Sequence, residues 1–328
     1  MHSDYLKFYS LLTPDFLNML FDGDRRVTAR AISLVENESP EAMHLMKDVY
    51  QSTGRAYRIG ITGPPGAGKS TLTNKLTQFY RKQGKSVGII AVDPTSPFTG
   101  GALLGDRVRM SEISNDDGVF VRSMATRGSL GGLAKKTREA ADILDAARYD
   151  IIIIETVGVG QSELEIAQSA DTTIVVLVPE SGDAIQAMKA GLMEIADFFV
   201  MNKSDRDGAD QAVMALKTIL AFKPPSDAWS PDVVKTIAQE GKGIEEVAEL
   251  IDRHRSYASS SKLLQARRSH RVVERVKELV ETTLHVDLWT IDRLQHIHEE
   301  APRVLNHLRT PYDIADEVIL DFRGNGKH

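Results

Sequence analysis

Ile59-Gly60-Ile61-Thr62 runs without a break into Gly63-Pro64-Pro65-Gly66-Ala67-Gly68-Lys69-Ser70-Thr71, after which residues 72–81 continue at helical spacing. The opening residues have the composition of a buried strand, and the stretch that follows matches G-x-x-x-x-G-K-[ST]. A strand, a glycine-rich loop and a helix in this order are suited to holding phosphate. Gly63, Gly66, Ala67 and Gly68 allow backbone N–H groups to close around phosphate oxygens, and the helix N-terminus adds its positive dipole end. Lys69 brings a point charge to the β- and γ-phosphates of a nucleoside triphosphate. The Ser70 hydroxyl can ligate Mg²⁺, and Thr71 completes the loop.

Working outward, short β-branched runs lie at 59–62, 87–92, 119–121, 151–154, 173–178, 198–201 and 233–237, separated by helical stretches. Apolar on both faces, they suit strands of a mostly parallel sheet covered by helices. The expected fold class is α/β: a three-layer P-loop NTPase domain with a mostly parallel central sheet, flanked by N-terminal and C-terminal helical extensions. The expected division is a helical arm over 1–55, the nucleotide domain over 56–254 and a helical tail over 255–328. In the arm, Thr13 before Pro14 and Ser39 before Pro40 read as helix N-caps, with Val27, Ala31, Ile32, Leu34 and Val35 as an apolar stripe. In the tail, Leu263, Leu264, Val272, Val273, Val276, Leu279 and Val280 trace one apolar helix face.

The other chemistry-bearing residues fall at predicted strand ends. Ile151 to Ile154 lead into Glu155-Thr156-Val157-Gly158, placing an acid where it reaches a Mg²⁺ shell directly or through water, and Gly158 where its N–H meets a γ-phosphate. The run 198–201 leads into Asn202-Lys203-Ser204-Asp205, the N-K-x-D pattern of guanine recognition. A carboxylate at Asp205 accepts from guanine N1–H and the exocyclic amine, a pair that adenine does not offer, so GTP is the expected nucleotide. Ala238, after the last strand, would bring a backbone N–H to guanine O6. Asp93 opens a segment through Thr95, Gly100, Gly101 and Gly105 to Asp106, with the composition of a loop that orders around metal and γ-phosphate. Lys69, Glu155 and Asp93 are the catalytic candidates; Ser70, Asp93, Asp106 and Glu155 are the candidate Mg²⁺ groups. Val159 stands where many small GTPases carry a water-orienting glutamine, so slow intrinsic hydrolysis is expected, with Gln161, Arg107, Arg109 or Arg127 as substitutes.

Composition narrows the class further. The chain has 328 residues, enough for a nucleotide domain of roughly 200 residues with extensions. Its net charge of -6, from 40 basic and 46 acidic residues, provides no basic face for nucleic acid. It contains no cysteine, which excludes disulfides and thiolate metal sites. The N-terminus lacks the order of a secretion signal or transit peptide, and no apolar run approaches the ~20 residues of a membrane span, so a cytoplasmic location is expected.

Glu155-Thr156-Val157-Gly158, Asp93-Pro94 and Asn202-Lys203-Ser204-Asp205 together resemble the metalloenzyme-maturation GTPase family that includes HypB and UreG. Gly23-Asp24-Arg25-Arg26, the spelling of the P-loop and the helical tail make the chain similar, over nearly its whole length, to the MeaB/ArgK-like subfamily. These are GTPase chaperones of adenosylcobalamin-dependent methylmalonyl-CoA mutase. The resemblance implies a Mg²⁺-dependent GTPase that gates cofactor loading and protects the mutase. It also implies a homodimer joined through the C-terminal arm, no cobalamin held by this chain, a cobalamin adenosyltransferase as a further partner, and a nucleotide-responsive segment over 179–189. Absence of cysteine and dispersal of the histidines argue against metal delivery; His296, His298 and Glu299 read as a solvated helix face. Two readings stay open beside this one: a kinase passing the γ-phosphate to a protein or amino acid, and a nucleotide-gated scaffold with incidental hydrolysis.

Overall fold

In the computed structural model, which describes residues 12–93, 113, 115–125, 132–156, 169–179, 191–221 and 229–325, every predicted β-branched run contributes a strand to one seven-stranded sheet, the runs 173–178 and 233–237 extending past their strands. The strands are β1 Tyr57–Thr62, β2 Val87–Asp93, β3 Val119–Ala125, β4 Ile151–Thr156, β5 Thr172–Leu177, β6 Phe198–Met201 and β7 Val233–Lys235. Their order is β3-β2-β4-β1-β5-β6-β7, and every pairing is parallel. Parallel neighbours require crossover connections, and among the described residues helices lie between β1 and β2, β3 and β4, β5 and β6, and β6 and β7.

The two-residue period of a strand divides each apolar run between the faces. On β4, Ile151 and Ile153 join a core with Leu72, Leu76, Val247 and Ile251, whereas Ile152 and Ile154 join one with Ile32, Val35, Leu45 and Leu144. On β6, Phe198 and Val200 enter the first core, and Phe199 and Met201 a third with Leu216. Burying each such side chain contributes about 1.5–3 kcal/mol. The covering helices are α1 Pro14–Phe21, α2 Arg25–Glu36, α3 Ala42–Tyr50, α4 Lys69–Lys82, α5 Gly132–Ala146, α6 Leu192–Ile195, α7 Ala209–Ala221 and α8 Ile244–Ser260.

The N-terminal helices are part of a sheet-covering layer. The stripe Ala31, Ile32 and Val35 is buried in the same core as Ile143 and Leu144 of α5. The Asp145 carboxylate accepts the N–H groups of Gly54, Arg55 and Ala56 at 2.8, 3.1 and 3.0 Å, fastening the α3–β1 connection. Thr13 caps α1 as expected, accepting from Phe16 N at 3.1 Å. Asp24 caps α2, accepting from Arg26 N and Val27 N. Ser39 departs from its expectation: α3 begins at Ala42, and Ser39 takes the Ala42 N–H on its carbonyl at 2.9 Å within a preceding turn, so its hydroxyl does not cap.

The first compact unit extends to Arg267, and α8 runs unbroken across position 254, where His254 is fully buried. The expected boundary at 254 falls within α8, whose buried face runs from Ile244 to Ala258. At the amino ends of β1, β5 and β6, Tyr57 Oη and Thr172 Oγ1 share a 2.5 Å hydrogen bond, and Thr172 Oγ1 lies 2.7 Å from His254 Nδ1. His254 Nε2 is 3.2 Å from Asp197, whose carboxylate also takes two bonds from Arg267 at 2.8 and 2.7 Å. Burial alone would raise the Asp197 pKa, but hydrogen bonds from Arg267 and His254 outweigh it and hold the carboxyl below its usual range. A depressed folded-state pKa stabilises the fold above the unfolded value of about 4, and that contribution is lost as pH falls through the folded value. Arg267→Ala is expected to cost about 3 kcal/mol at neutral pH by leaving a buried carboxylate half-paired. Asp197→Asn is expected to flatten the loss of stability below about pH 4. Urea unfolding between neutral and acid pH measures both.

The second unit, Arg268–His328, holds most of α9 Leu263–Leu288 together with α10 Ile291–Leu305 and α11 Pro311–Asn325. Arg293 organises it: Nη1 takes the Asp287 and Leu288 carbonyls at the end of α9, and Nε bonds Asp321 of α11 at 2.6 Å. His296 lies 3.2 Å from Glu317, both groups half-exposed, a surface contact between α10 and α11. Val273, Val276 and Val280 on α9 are exposed. Among the described residues no helix is long and apolar enough to cross a membrane.

Candidate active site

The carboxyl ends of β1, β2, β4, β6 and β7 lie along one edge of the sheet, where an open α/β sheet places its ligands. That edge gathers the glycine-rich loop, Asp93, Glu155, Asn202 and Thr236 from segments far apart in the chain.

The loop is shaped by its glycines. Gly63 has φ 135°, and a Cβ there would lie 2.1 Å from the Val176 carbonyl of β5. Gly68, at φ 90°, would drive a Cβ to 2.3 Å from Asn202 Nδ2. Gly66 has φ 75° and open space where its Cβ would be, so its requirement is conformational. Ala67 is buried, Pro65 and Gly66 are exposed, and Ser70 and Thr71 are intermediate on the first turn of α4. Lys69 is 6% exposed, and its Nζ donates to the Gly63 and Pro64 carbonyls at 2.7 and 3.0 Å. The ammonium is thereby held inside the curl of its own loop.

Glu155 pairs in register with Ile61 of β1 and Ala91 of β2, one position before the strand hands over to the loop edge. It is fully buried, and Oε2 accepts from Thr73 Oγ1 at 2.5 Å. Thr156 bonds Thr62 across the strands at 3.3 Å. Asp93 is the last residue of β2 and ends at the same edge. Asp106, Val157, Gly158 and Val159 lie outside the described residues, as do Gln161, Arg107, Arg109, Arg127 and the segment 180–189.

Asn202 ties the two halves of the site together. Its Nδ2 donates to the Ala67 carbonyl at 2.8 Å, and its Oδ1 accepts from Thr236 Oγ1 and Ala238 N, both at 3.0 Å. The side chain is buried, so its part is to lock the phosphate loop to the β6 and β7 ends. Ala238 N–H is engaged by this bond, and a guanine O6 would share it with Asn202. Lys203 adopts the left-handed backbone at φ 55°, and Ser204 N bonds the Thr236 carbonyl, which turns the chain so that Asp205 stands exposed at the rim.

The donor set fits a small hard cation: one hydroxyl at Ser70 and a buried carboxylate at Glu155, both oxygen groups, beside a cradle that side chains on Gly63 or Gly68 would fill. Thr73, the hydrogen-bond partner of Glu155, is a residue that motif reading passes over. Its signal is a polar side chain between Leu72 and Leu76 on the buried face of α4, where a hydroxyl needs a partner.

The family described as methylmalonyl Co-A mutase-associated GTPase MeaB matches residues 28–292. A Pyrococcus abyssi protein named as a GTPase is 48% identical over 317 residues, covering 95% of this chain and 97% of its own. The mouse protein named methylmalonic aciduria type A homolog, mitochondrial, is 36% identical over 322 residues, covering 92% of this chain and 72% of its own. Among solved structures, the LAO/AO transport system kinase is similar with a TM-score of 0.71 and 28% identity, covering 96% of this chain and all 100% of that one.

Proposed function

This chain belongs to the MeaB family of mutase-associated GTPases, and from that premise we propose that it is a Mg²⁺-dependent GTP hydrolase that attends a methylmalonyl-CoA mutase, gating adenosylcobalamin loading and protecting the mutase from inactivation. The observation that carries the reading is Asn202, which hydrogen-bonds both the glycine-rich loop at Ala67 and the segment after β7 at Ala238. Amides of the 63–71 loop surround the phosphates, and Lys69 neutralises charge on the β- and γ-phosphates. Asp205 accepts the paired donors of guanine. Ser70 and Glu155 would hold Mg²⁺, with Asp93 and Asp106 as further carboxylates of the shell. When bound, the cation neutralises charge on the β- and γ-oxygens.

The mutase as partner rests on the family and not on any geometry of the site. The exposed run Val273, Val276 and Val280 supports a homodimer joined through α9, since an uncovered apolar helix face favours a partner. A cytoplasmic protein, with a cobalamin adenosyltransferase as a further partner, completes the proposal.

The test is hydrolysis of GTP labelled on its γ-phosphate, with ATP as control, with and without a cobalamin-dependent acyl-CoA mutase. A slow, GTP-specific rate that rises several-fold with mutase is the expected result. Label on any acceptor other than water would replace the proposal with a kinase. Co-elution with the mutase at near-zero turnover would replace it with a nucleotide-gated scaffold.

A further inference from the structure

We propose that Thr73 is a positioning residue for the reaction: its hydroxyl fixes the Glu155 carboxylate, so that one helix, α4, holds both that acid and Ser70 in the Mg²⁺ shell. This rests on the reading of Glu155 and Ser70 given above.

Thr73 is fully buried, and its Oγ1 donates to Glu155 Oε2 at 2.5 Å. Thr77, one turn on, shows the ordinary alternative: its hydroxyl bonds back to the Thr73 carbonyl at 2.8 Å within the helix. Thr73 instead reaches across to β4, a partner 82 residues away in the chain. A helical threonine divides between two χ1 rotamers, and burial together with the bond to Glu155 selects the one that reaches across to β4. That restraint matters more for a glutamate than for an aspartate, because glutamate has one more rotatable bond to fix. Ser70 and Thr73 are three residues apart, neighbours on successive turns of α4. Any shift of the helix start under the phosphates is therefore transmitted to the acid as well as to the hydroxyl ligand.

The experiment uses the full chain and three variants: Thr73→Val, which keeps the shape and removes the donor, Thr73→Ser, which restores it, and Thr73→Val combined with Glu155→Gln. Binding of a fluorescent, non-hydrolysable GTP analogue and steady-state hydrolysis are each titrated with MgCl₂, and thermal unfolding is recorded without nucleotide. Thr73→Val is expected to raise the Mg²⁺ concentration for half-maximal signal about tenfold, Thr73→Ser to stay within about twofold of the parent, and Thr73→Val to add nothing once Glu155 is glutamine. A Thr73→Val protein with lower thermal stability and an unchanged Mg²⁺ requirement would make the bond a strut and overturn the proposal. So would an equal effect of the valine in the Glu155→Gln background. Should the valine variant not fold, Thr73→Ala is read by the same criteria. A parent protein that hydrolyses GTP without needing Mg²⁺ would fail at the cation reading itself, an outcome separate from a failure confined to Thr73.

Discussion

Replacing Lys69 with alanine is expected to lower GTP turnover by about 10²- to 10³-fold and to weaken nucleotide binding alongside it. The lysine is buried, and its Nζ is held by the Gly63 and Pro64 carbonyls, so the charge is already placed where phosphate would lie. A charge positioned in advance acts without reorganising at the moment of reaction, which is why its removal costs more than loss of a surface charge. The same substitution removes both loop-closing bonds, so GTP and GDP affinities should fall together. Titration with each nucleotide and single-turnover hydrolysis separate the two effects. Undiminished turnover would mean that the loop is not the phosphate site.

Asp205→Asn is expected to weaken GTP binding by about 10²-fold or more, since one of the two hydrogen bonds is lost, the other loses its charged acceptor, and an amide donor is set against a donor of guanine. Xanthine nucleotides should bind better to the variant than to the parent, because the xanthine 2-carbonyl accepts from the new amide. The backbone that presents this side chain is held by Ser204 N on the Thr236 carbonyl and does not depend on the carboxylate. The exchange therefore changes recognition without unfolding the rim. Equilibrium titration with GTP and XTP is the measurement; GTP affinity that does not move would place the base elsewhere.

How much was legible in the chain itself differs from residue to residue. The glycine-rich loop was readable in its place between strand and helix because those elements are contiguous in the chain. The same holds for Glu155 and for Asn202 to Asp205, each of which ends an apolar run that is buried on both faces. Ser39 misled for the opposite reason: Ser-Pro-Glu is a sound helix start, yet the chain spent those residues on a turn and began the helix at Ala42. The helical stripe of α2 was legible as a stripe, but nothing in its spacing said that α5 would cover it.

By itself, then, the sequence determined the α/β class, the seven strand segments and the strand-loop-helix unit at residues 57–82, because each is written in neighbouring residues. Only the tertiary structure decided that Thr73 meets Glu155, that Asn202 meets Ala67 and that Arg267 meets Asp197, pairs 82, 135 and 70 residues apart. Such contacts follow from the strand order β3-β2-β4-β1-β5-β6-β7, which brings chain-distant segments together, Glu155 and Asn202 at the carboxyl edge and Asp197 at the amino edge. A buried hydroxyl, amide or carboxylate then takes whichever partner that order supplies, since leaving it unpaired would cost more than any local preference gains.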